Sequence, residues 1–198
     1  MTFEEALNML KKRRVLRITV SGDIGSGKST FAKRLAEELD MPRTYIGQIM
    51  RELAIERGVS LDELSAEFEK SDAGDRELDR IQQEKSREIK KGVFEGRVAW
   101  HFVEQPDVTL FLKVDPQVAA ERVWQDKGNP LRDKYNSVEE IVAADEKRKQ
   151  SEEARYNKFY GLSAYDLSNF DIVVDTTNLT IEEVFKNTII RMGEFLQD

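Results

Sequence analysis

Apolar residues fall into five short segments along the chain, and the longer stretches between them carry apolar residues at helical spacing. The segments are residues 15–20, 44–46, 93–94, 108–114 and 172–174. Short, nearly continuous apolar runs are typical of strands buried on both faces. Because helical stretches alternate with these runs, we predict an α/β fold in which a five-stranded parallel sheet is flanked by helices.

Two highly charged stretches interrupt this alternation. Residues 51–91 carry a capping box from Ser60 to Glu63 and few apolar positions, which predicts a helical side lobe. After the fourth segment the chain breaks at Gly128, Asn129 and Pro130 and restarts at Ser137 as a polar helix reaching about Asn157, typical of a lid. We therefore expect one domain, residues 1–198, with its core at about 15–50, 92–125 and 160–198, its lobe at about 51–91 and its lid at about 126–158.

Both ends of the chain also have helical patterns. Phe3, Ala6, Leu7 and Leu10 predict a short amphipathic helix packed on a sheet edge. A capping box from Thr180 to Glu183 opens a C-terminal stretch with core-like apolar spacing. We expect both helices to be structural.

The most specific motif lies between the first strand and the following helix. Its residues are Gly22, Asp23, Ile24, Gly25, Ser26, Gly27, Lys28 and Ser29. They fit the pattern of a glycine, four free positions, a glycine, a lysine and a serine or threonine. Glycines let successive N–H groups turn toward a polyphosphate, and the helix N-terminus adds partial positive charge. We predict that these residues, with Thr30, bind ATP, that Lys28 reaches the β- and γ-phosphates, and that Ser29 is a ligand of Mg²⁺.

Several arginines indicate a second anion beside the first. Arg51 follows the second strand and Arg97 follows the third, where open α/β sheets place their ligands. Arg148, Glu152 and Arg155 are spaced to share one face of the predicted lid helix. Arginines on either side of a carboxylate are suited to close over phosphates. Taken alone, Arg148 and Arg155 are equally compatible with solvated surface ion pairs.

Together with the loop, four further segments resemble cytidylate kinases, in the compact form found in archaea and related bacteria. They are GQIMRELAIERG at 47–58, EGR at 95–97, RKQSEEARYNKFYG at 148–161 and DLSNFDIVVDT at 166–176. The resemblance runs in order from residue 15 to about residue 184. It implies a P-loop nucleoside monophosphate kinase fold in which the lobe binds the monophosphate and the lid covers the site.

The resemblance also implies roles for individual residues in transferring the γ-phosphoryl group of ATP to CMP or dCMP. Arg51 and Arg97, with Gly47 beside them, hold the acceptor. Lys28, Arg148 and Arg155 stabilise the phosphates during transfer, and Glu152 orients the site. Glu95, at the end of the third strand, joins Ser29 at Mg²⁺ through water, with Asp115 and Asp175 as alternative carboxylates.

Composition narrows the functional classes. The chain has 198 residues, 39% of them hydrophobic, which fits one compact domain, and it has no cysteine for disulfides or thiolate metal sites. A net charge of −7 argues against binding to nucleic acid or an anionic membrane. No apolar run has membrane-spanning length, and Glu4 and Glu5 stand where a signal peptide is hydrophobic, so we expect a cytoplasmic protein without an obligate protein partner.

Two alternatives stay open at this stage. The first is a loop kinase for another acceptor, either a different monophosphate or a small hydroxyl substrate such as shikimate; Tyr45 and Ile46 stand where relatives often have smaller residues, which bears on acceptor choice. The second is a nucleotide sensor without catalysis, which would not need the arginines. A monophosphate acceptor needs no general base, so we interpret His101 as a packed residue outside the site.

Overall fold

The computed structural model describes residues 1–60, 63–64, 67–68, 73–126 and 135–197. The five strands are β1 (Leu16–Gly22), β2 (Arg43–Tyr45), β3 (Lys91–Glu95), β4 (Val108–Lys113) and β5 (Ile172–Asp175). They form one parallel sheet in the order β2-β3-β1-β4-β5. The predicted five-stranded parallel sheet is confirmed.

The helices whose bounds the structure describes are α1 (Phe3–Lys12), α2 (Lys28–Glu38), α3 (Ile46–Arg57), α4 (Ala73–Glu88), α5 (Ala99–Phe102), α6 (Pro116–Gln125), α7 (Val138–Tyr160) and α8 (Ile181–Phe195). A short 3₁₀ turn, Leu167–Asn169, precedes β5. The chain break predicted at Gly128, Asn129 and Pro130 lies outside the described residues. None of the helices in the described segments is long and apolar enough to cross a membrane.

The order of the strands creates a crevice beside β1. The chain passes from β1 to one side of the sheet for β2 and β3, and then crosses to the other side for β4 and β5. Ligands of open α/β sheets bind at such a reversal, outside the carboxyl ends of the strands. The segment from Gly22 to Lys28 leaves β1 at this point and leads into α2.

Every strand differs from its predicted boundaries by at least one residue, and so does the end of one helix. Ile46 begins α3, whereas we had assigned it to the second strand; its predecessor Tyr45 is still extended, so strand and helix meet without a loop. The third strand covers Lys91–Glu95 and is longer than its two predicted residues. Helix α7, which falls in the predicted lid, begins after its N-cap Ser137, as predicted, but continues to Tyr160.

The N-terminal helix packs differently from the prediction. Instead of lying on a sheet edge, α1 packs on the C-terminal helix α8, and its buried residues Ala6 and Leu10 join the main core. The two helices approach closely because Gly193 of α8 has no side chain; a Cβ there would lie 2.7 Å from the Cβ of Ala6. The capping boxes at Thr180 and at Ser60 are both present.

His101 is exposed, so the prediction that it is packed is wrong. The short helix α5 buries Ala99 and Phe102 and turns His101 outward. Its ring still contacts the neighbouring rings of Trp100 and Phe102, with centroids 5.6 and 4.9 Å away.

Candidate active site

The loop after β1 lies against α6 and opens into a cleft. Gly25 has a φ of +75°, and a Cβ there would stand 2.8 Å from the Cβ of Ala119 in α6, so the position needs glycine for two reasons. Gly27 is the N-cap of α2 and has no side chain to cap the helix. The first N–H groups of α2 therefore stay available to an anion.

The cleft has a volume of about 690 Å³, and its walls differ in chemistry. Every loop residue from Asp23 to Thr30 lines it. Four arginines from different elements also line it, namely Arg34, Arg97, Arg122 and Arg148. At the side formed by α8 and the segment before it, the walls are apolar and include Leu179, Val184 and Phe185. This combination of a cationic part and an apolar part suits a ligand with phosphates and a flat base.

Glu95 connects the loop to the sheet. The Ser29 hydroxyl donates a 2.5 Å hydrogen bond to Glu95 Oε1, and Lys28 Nζ lies 3.5 Å from the same oxygen. Arg43 donates to Glu95 Oε2 from Nε at 3.1 Å and from its terminal nitrogen at 2.7 Å. The carboxylate is buried, with only 7% of its side chain exposed.

The charges around Glu95 determine its protonation. Burial acts to raise the pKa of Glu95, but the charge of Lys28, the hydrogen bond from Ser29 and the charge of Arg43 outweigh it and leave the pKa below its ordinary value. Burial also lowers the pKa of Lys28, with Arg97 acting in the same direction and Glu95 opposing both. We conclude that Glu95 is ionised and holds Lys28 and Ser29 together at the start of α2.

The Ser29 hydroxyl and the Glu95 carboxylate form a donor set that fits Mg²⁺. Both are hard oxygen donors, and Mg²⁺ usually takes one or two protein ligands and completes its shell with water and substrate phosphates. Among the residues that the structure describes, no three His, Cys, Asp or Glu side chains come together as a metal site. The alternative carboxylates are engaged elsewhere, since Asp115 caps α6 and Asp175 accepts hydrogen bonds from Thr177.

A second buried carboxylate, Glu152 of α7, joins three side chains. Arg97 Nε donates to Glu152 Oε2 at 2.6 Å, and Arg148 Nε donates to Oε1 at 3.1 Å. The hydroxyl of Tyr165 donates to Oε2 at 2.5 Å. Arg97 also donates to the carbonyl of Gly22, which connects this cluster to the loop.

The protonation states in this cluster follow from burial and charge. Burial acts to raise the pKa of Glu152. The charge of Arg97, the hydrogen bond from Tyr165 and the charge of Arg148 together lower it by more, so the pKa lies below its ordinary value and the carboxylate is ionised. Burial raises the pKa of Tyr165, with Arg97 opposing and Glu152 adding to the rise, so the phenol keeps its proton as a donor. Arg97 and Arg148 thus share one negative charge at the edge of the cleft.

Comparison with known proteins assigns the chain to a family. A family described as cytidylate kinase-like matches residues 17–178. The chain belongs to this cytidylate kinase-like family. It is 38% identical over 170 residues to a cytidylate kinase of Pyrococcus abyssi, covering 86% of this chain and 90% of the relative. It is 36% identical over 178 residues to a cytidylate kinase of Methanopyrus kandleri, covering 85% and 88%.

Solved structures agree on the fold. An uncharacterized protein from Eubacterium ventriosum superposes with a TM-score of 0.66 at 18% identity, covering 90% of this chain and 98% of that one. A shikimate kinase from Bacteroides thetaiotaomicron gives a TM-score of 0.61 at 19% identity, covering 93% and 99%. At these identities the similarity shows a shared fold and nothing about the acceptor. The match to the cytidylate kinase-like family begins at residue 17, so α1 lies outside the matched residues.

Other residues predicted for this cytidylate kinase-like site lie outside the cleft. Arg51, exposed on α3, donates to the hydroxyl of Tyr45, and Gly47 lies against the same tyrosine ring. Arg155 does not line the cleft; its guanidinium carbon lies 5.4 Å from the centroid of the Tyr156 ring. The structure thus brings together the loop, Glu95, Arg97, Arg148 and Glu152.

Sequence reasoning missed four residues that shape the site. Arg122 of α6 lines the cleft and donates to the carbonyl of Thr176 at 2.7 Å. Arg43 and Tyr165 hold the two buried carboxylates, and Lys149 binds the loop residue Asp23. Three of the four lie beside or within a quoted segment: Arg43 shortly precedes GQIMRELAIERG, Lys149 follows Arg148 in the predicted lid, and Tyr165 directly precedes DLSNFDIVVDT. Arg122 lies near none of these segments.

Proposed function

We propose that this protein transfers the γ-phosphoryl group of ATP to CMP or dCMP. The observation that carries the proposal is the convergence of Lys28, Arg97 and Arg148 on one cleft beneath the lid helix. A loop that binds only a triphosphate has no need of the last two, whereas transfer to a second phosphate requires cations on both sides of the migrating group. Membership of the cytidylate kinase-like family supports the choice of acceptor.

The donor would bind with its phosphates on the loop. The N–H groups at the start of α2 and the ammonium of Lys28 would hold the β- and γ-phosphates. The base would enter the apolar part of the cleft near Leu179, Val184 and Phe185. Ser29 and Glu95 would hold Mg²⁺ beside the phosphates. The ion would neutralise negative charge on the phosphoryl group during its transfer.

The acceptor phosphate would bind on the other side of the cleft. Arg97 lies two residues after Glu95, the last residue of β3, and we assign it to the acceptor phosphate. Arg51 would reach the same anion from α3. Glu152 now neutralises Arg97 and Arg148, and phosphate oxygens would compete with it for the same guanidinium groups. The acceptor oxygen is already anionic and needs no base. This agrees with the exposed position of His101 outside the cleft.

The domain organisation expected from the sequence agrees with separate binding places for the donor and the acceptor. We propose that residues 51–91 form the lobe that binds the monophosphate and that residues 126–158 form the lid. The described part of the proposed lid, α7, brings Arg148 to the cleft and Glu152 to Arg97, which lines the cleft. Arg155 on the same helix would reach the phosphates only after the lid moves relative to this structure.

A turnover assay tests the proposal. ADP release from ATP and Mg²⁺ is measured with CMP, dCMP, UMP, AMP, GMP and shikimate as separate acceptors. We expect the highest kcat/KM with CMP or dCMP, and Lys28→Ala should lower kcat/KM by at least about 10³-fold because the loop cation is lost. Lys33→Ala, an exposed lysine one turn further along α2, serves as the matched control and should behave as wild type.

Other outcomes would contradict the proposal in distinguishable ways. A preference for another monophosphate would keep the chemistry and reject the acceptor. A preference for shikimate would reject a phosphate acceptor altogether. ATP binding without turnover on any acceptor would indicate a nucleotide sensor.

A further inference from the structure

Asp23 connects the phosphate loop to the lid helix. Its Oδ1 accepts a 2.7 Å hydrogen bond from Lys149 Nζ of α7, and its Oδ2 accepts from the backbone N–H of Val114 at 3.2 Å. The Asp23 side chain is 16% exposed and that of Lys149 is 48% exposed. The loop motif leaves this position free, so nothing in phosphate binding itself calls for an acid here.

Lys149 belongs to a closed chain of contacts that begins and ends on the loop. Its ammonium lies 4.6 Å from the centroid of the Tyr165 ring, and the hydroxyl of Tyr165 donates to Glu152. Glu152 in turn holds Arg97, which donates to the carbonyl of Gly22, the residue before Asp23. The lid helix is therefore attached to the loop at two adjacent residues, through an ion pair on one side and through Glu152 on the other.

The charge of Asp23 carries a cost for nucleotide binding. Asp23 lines the cleft that holds the polyphosphate in the proposed function, and a carboxylate there repels phosphate oxygens. While Lys149 is paired with Asp23, its positive charge neutralises the carboxylate. Loss of Lys149 would leave an uncompensated anion beside the phosphates, whereas loss of the acid would remove both the repulsion and the tie.

We propose that Asp23 and Lys149 form a positioning pair that ties the lid helix to the phosphate loop and so places the adjacent Arg148 over the phosphates. Neither side chain touches the reacting atoms in this arrangement. The proposal rests on the proposed function only in requiring that ATP binds at the loop; it does not depend on the identity of the acceptor.

A double-mutant cycle tests the pair with two readouts. Lys149→Met, Asp23→Asn and the double variant are compared for the affinity of ATP with Mg²⁺, by calorimetry, and for kcat with the best acceptor. Lys149→Met should weaken ATP binding about tenfold, because the Asp23 carboxylate then has no cation beside it and repels the phosphates. In the Asp23→Asn background the same change should have an effect of less than about twofold, because no charge remains to be cancelled.

The kcat readout tests whether the Asp23–Lys149 pair positions the lid helix on the phosphate loop. Each single variant and the double variant should lose a similar factor, about three- to tenfold, because any one of them releases the lid helix. Thermal unfolding should change little, because a half-exposed ion pair contributes little to folding stability. Lys147→Met, an exposed lysine on the same helix, is the matched control for removing one positive charge and should leave both readouts unchanged.

Two results would overturn the pair. If Lys149→Met weakens ATP binding equally with and without Asp23, Lys149 acts as a plain attractive charge and not through Asp23. If the kcat of Lys149→Met stays within about twofold of that of Lys147→Met, the pair has no positioning role, whatever the ATP affinities are. Should no acceptor be turned over, the proposed function fails, while the calorimetric cycle still decides whether Lys149 acts through Asp23.

Discussion

Glu152 accepts hydrogen bonds from three side chains that come from separate parts of the chain. Arg97 follows β3, Arg148 lies one turn earlier on the same helix α7, and Tyr165 follows that helix. Only 10% of the Glu152 side chain is exposed. Removing one partner of a buried charged cluster leaves the others unsatisfied, so this carboxylate contributes both to the site and to stability.

We expect Glu152→Gln to destabilise the fold by about 1–3 kcal/mol at neutral pH, because charge-assisted hydrogen bonds are lost. The folded state lowers the pKa of Glu152 below its ordinary value of 4.5. A lowered pKa stabilises the fold fully above the ordinary value, and the stabilisation is lost as the pH falls through the folded value. The difference between wild type and variant should therefore be constant near neutral pH and shrink below pH 4.5.

Urea unfolding from pH 7 down to the acid limit of folding measures this difference. Glu146→Gln, at an exposed position on the same helix, is the control and should change stability little at any pH. A Glu152→Gln difference that is the same at acid and neutral pH would show that the charge of Glu152 does not stabilise the fold.

Individual site residues were predictable only where a local motif specifies them. Lys28 and Ser29 follow from the loop pattern, and the structure places Glu95, which only the family resemblance put beside Ser29, against both. Arg43 and Lys149 bind carboxylates that are 52 and 126 residues away in sequence. Such pairs depend on how the strands are ordered in space, which a local pattern does not contain.

At the scale of elements, helix α7 of the proposed lid shows how the sequence determines where a helix begins and ends. Ser137 caps its first turn, and Gly161 ends it with a φ of +66° and a ψ of +25°. A Cβ added at Gly161 would meet nothing within 4 Å, so the only cost of a side chain there is the left-handed backbone. Gly58 ends α3 in the same conformation and the same open space.

We expect Gly161→Ala and Gly58→Ala each to destabilise the protein by about 1 kcal/mol, because a left-handed backbone costs an alanine roughly that amount. Gly161→Asn should cost less, since asparagine tolerates this conformation. Urea unfolding curves of the three variants measure the effect. Equal stability of the alanine and glycine forms would mean that the helix end relaxes into another conformation.

Element types followed from the sequence more securely than element ends. The apolar pair at Tyr45 and Ile46 predicted a strand through both residues, yet the backbone turns helical at Ile46. Apolar runs this short fit either structure, so hydrophobic pattern alone does not locate the change. The long polar helix α7 was predicted from its cap and its length, and it ends three residues beyond the predicted Asn157.

At the scale of the whole molecule, the parallel sheet was predictable but the order of its strands was not. Alternating strands and helices indicate a parallel sheet. The central position of β1 in that sheet, however, cannot be derived from hydrophobicity or from the spacing of the segments. The packing of α1 could not be predicted for the same reason, because it also depends on which distant segments meet in space. Its amphipathic pattern predicted a buried face, but the close approach to α8 depends on Gly193, near the far end of the chain.

The position of α1 leads to the last prediction. Leu10 is fully buried in the main core, and none of the residues that line the cleft belongs to α1. Leu10→Ala should destabilise the protein by about 2–5 kcal/mol, because it removes buried methyl groups and leaves a cavity. Leu7→Ala, at a partly buried position of the same helix, should cost less.

Two measurements test whether α1 affects only stability or also the site. They are thermal unfolding, and kcat at a temperature where both variants are folded. Because α1 contributes to the core and not to the cleft, stability should fall while kcat stays within about twofold of wild type. A large loss of kcat in folded Leu10→Ala would instead connect α1 to the site through α8, whose Val184 and Phe185 line the apolar part of the cleft. The aromatic contact between Phe3 and Phe185, with centroids 6.2 Å apart, would then be the first place to look for that connection.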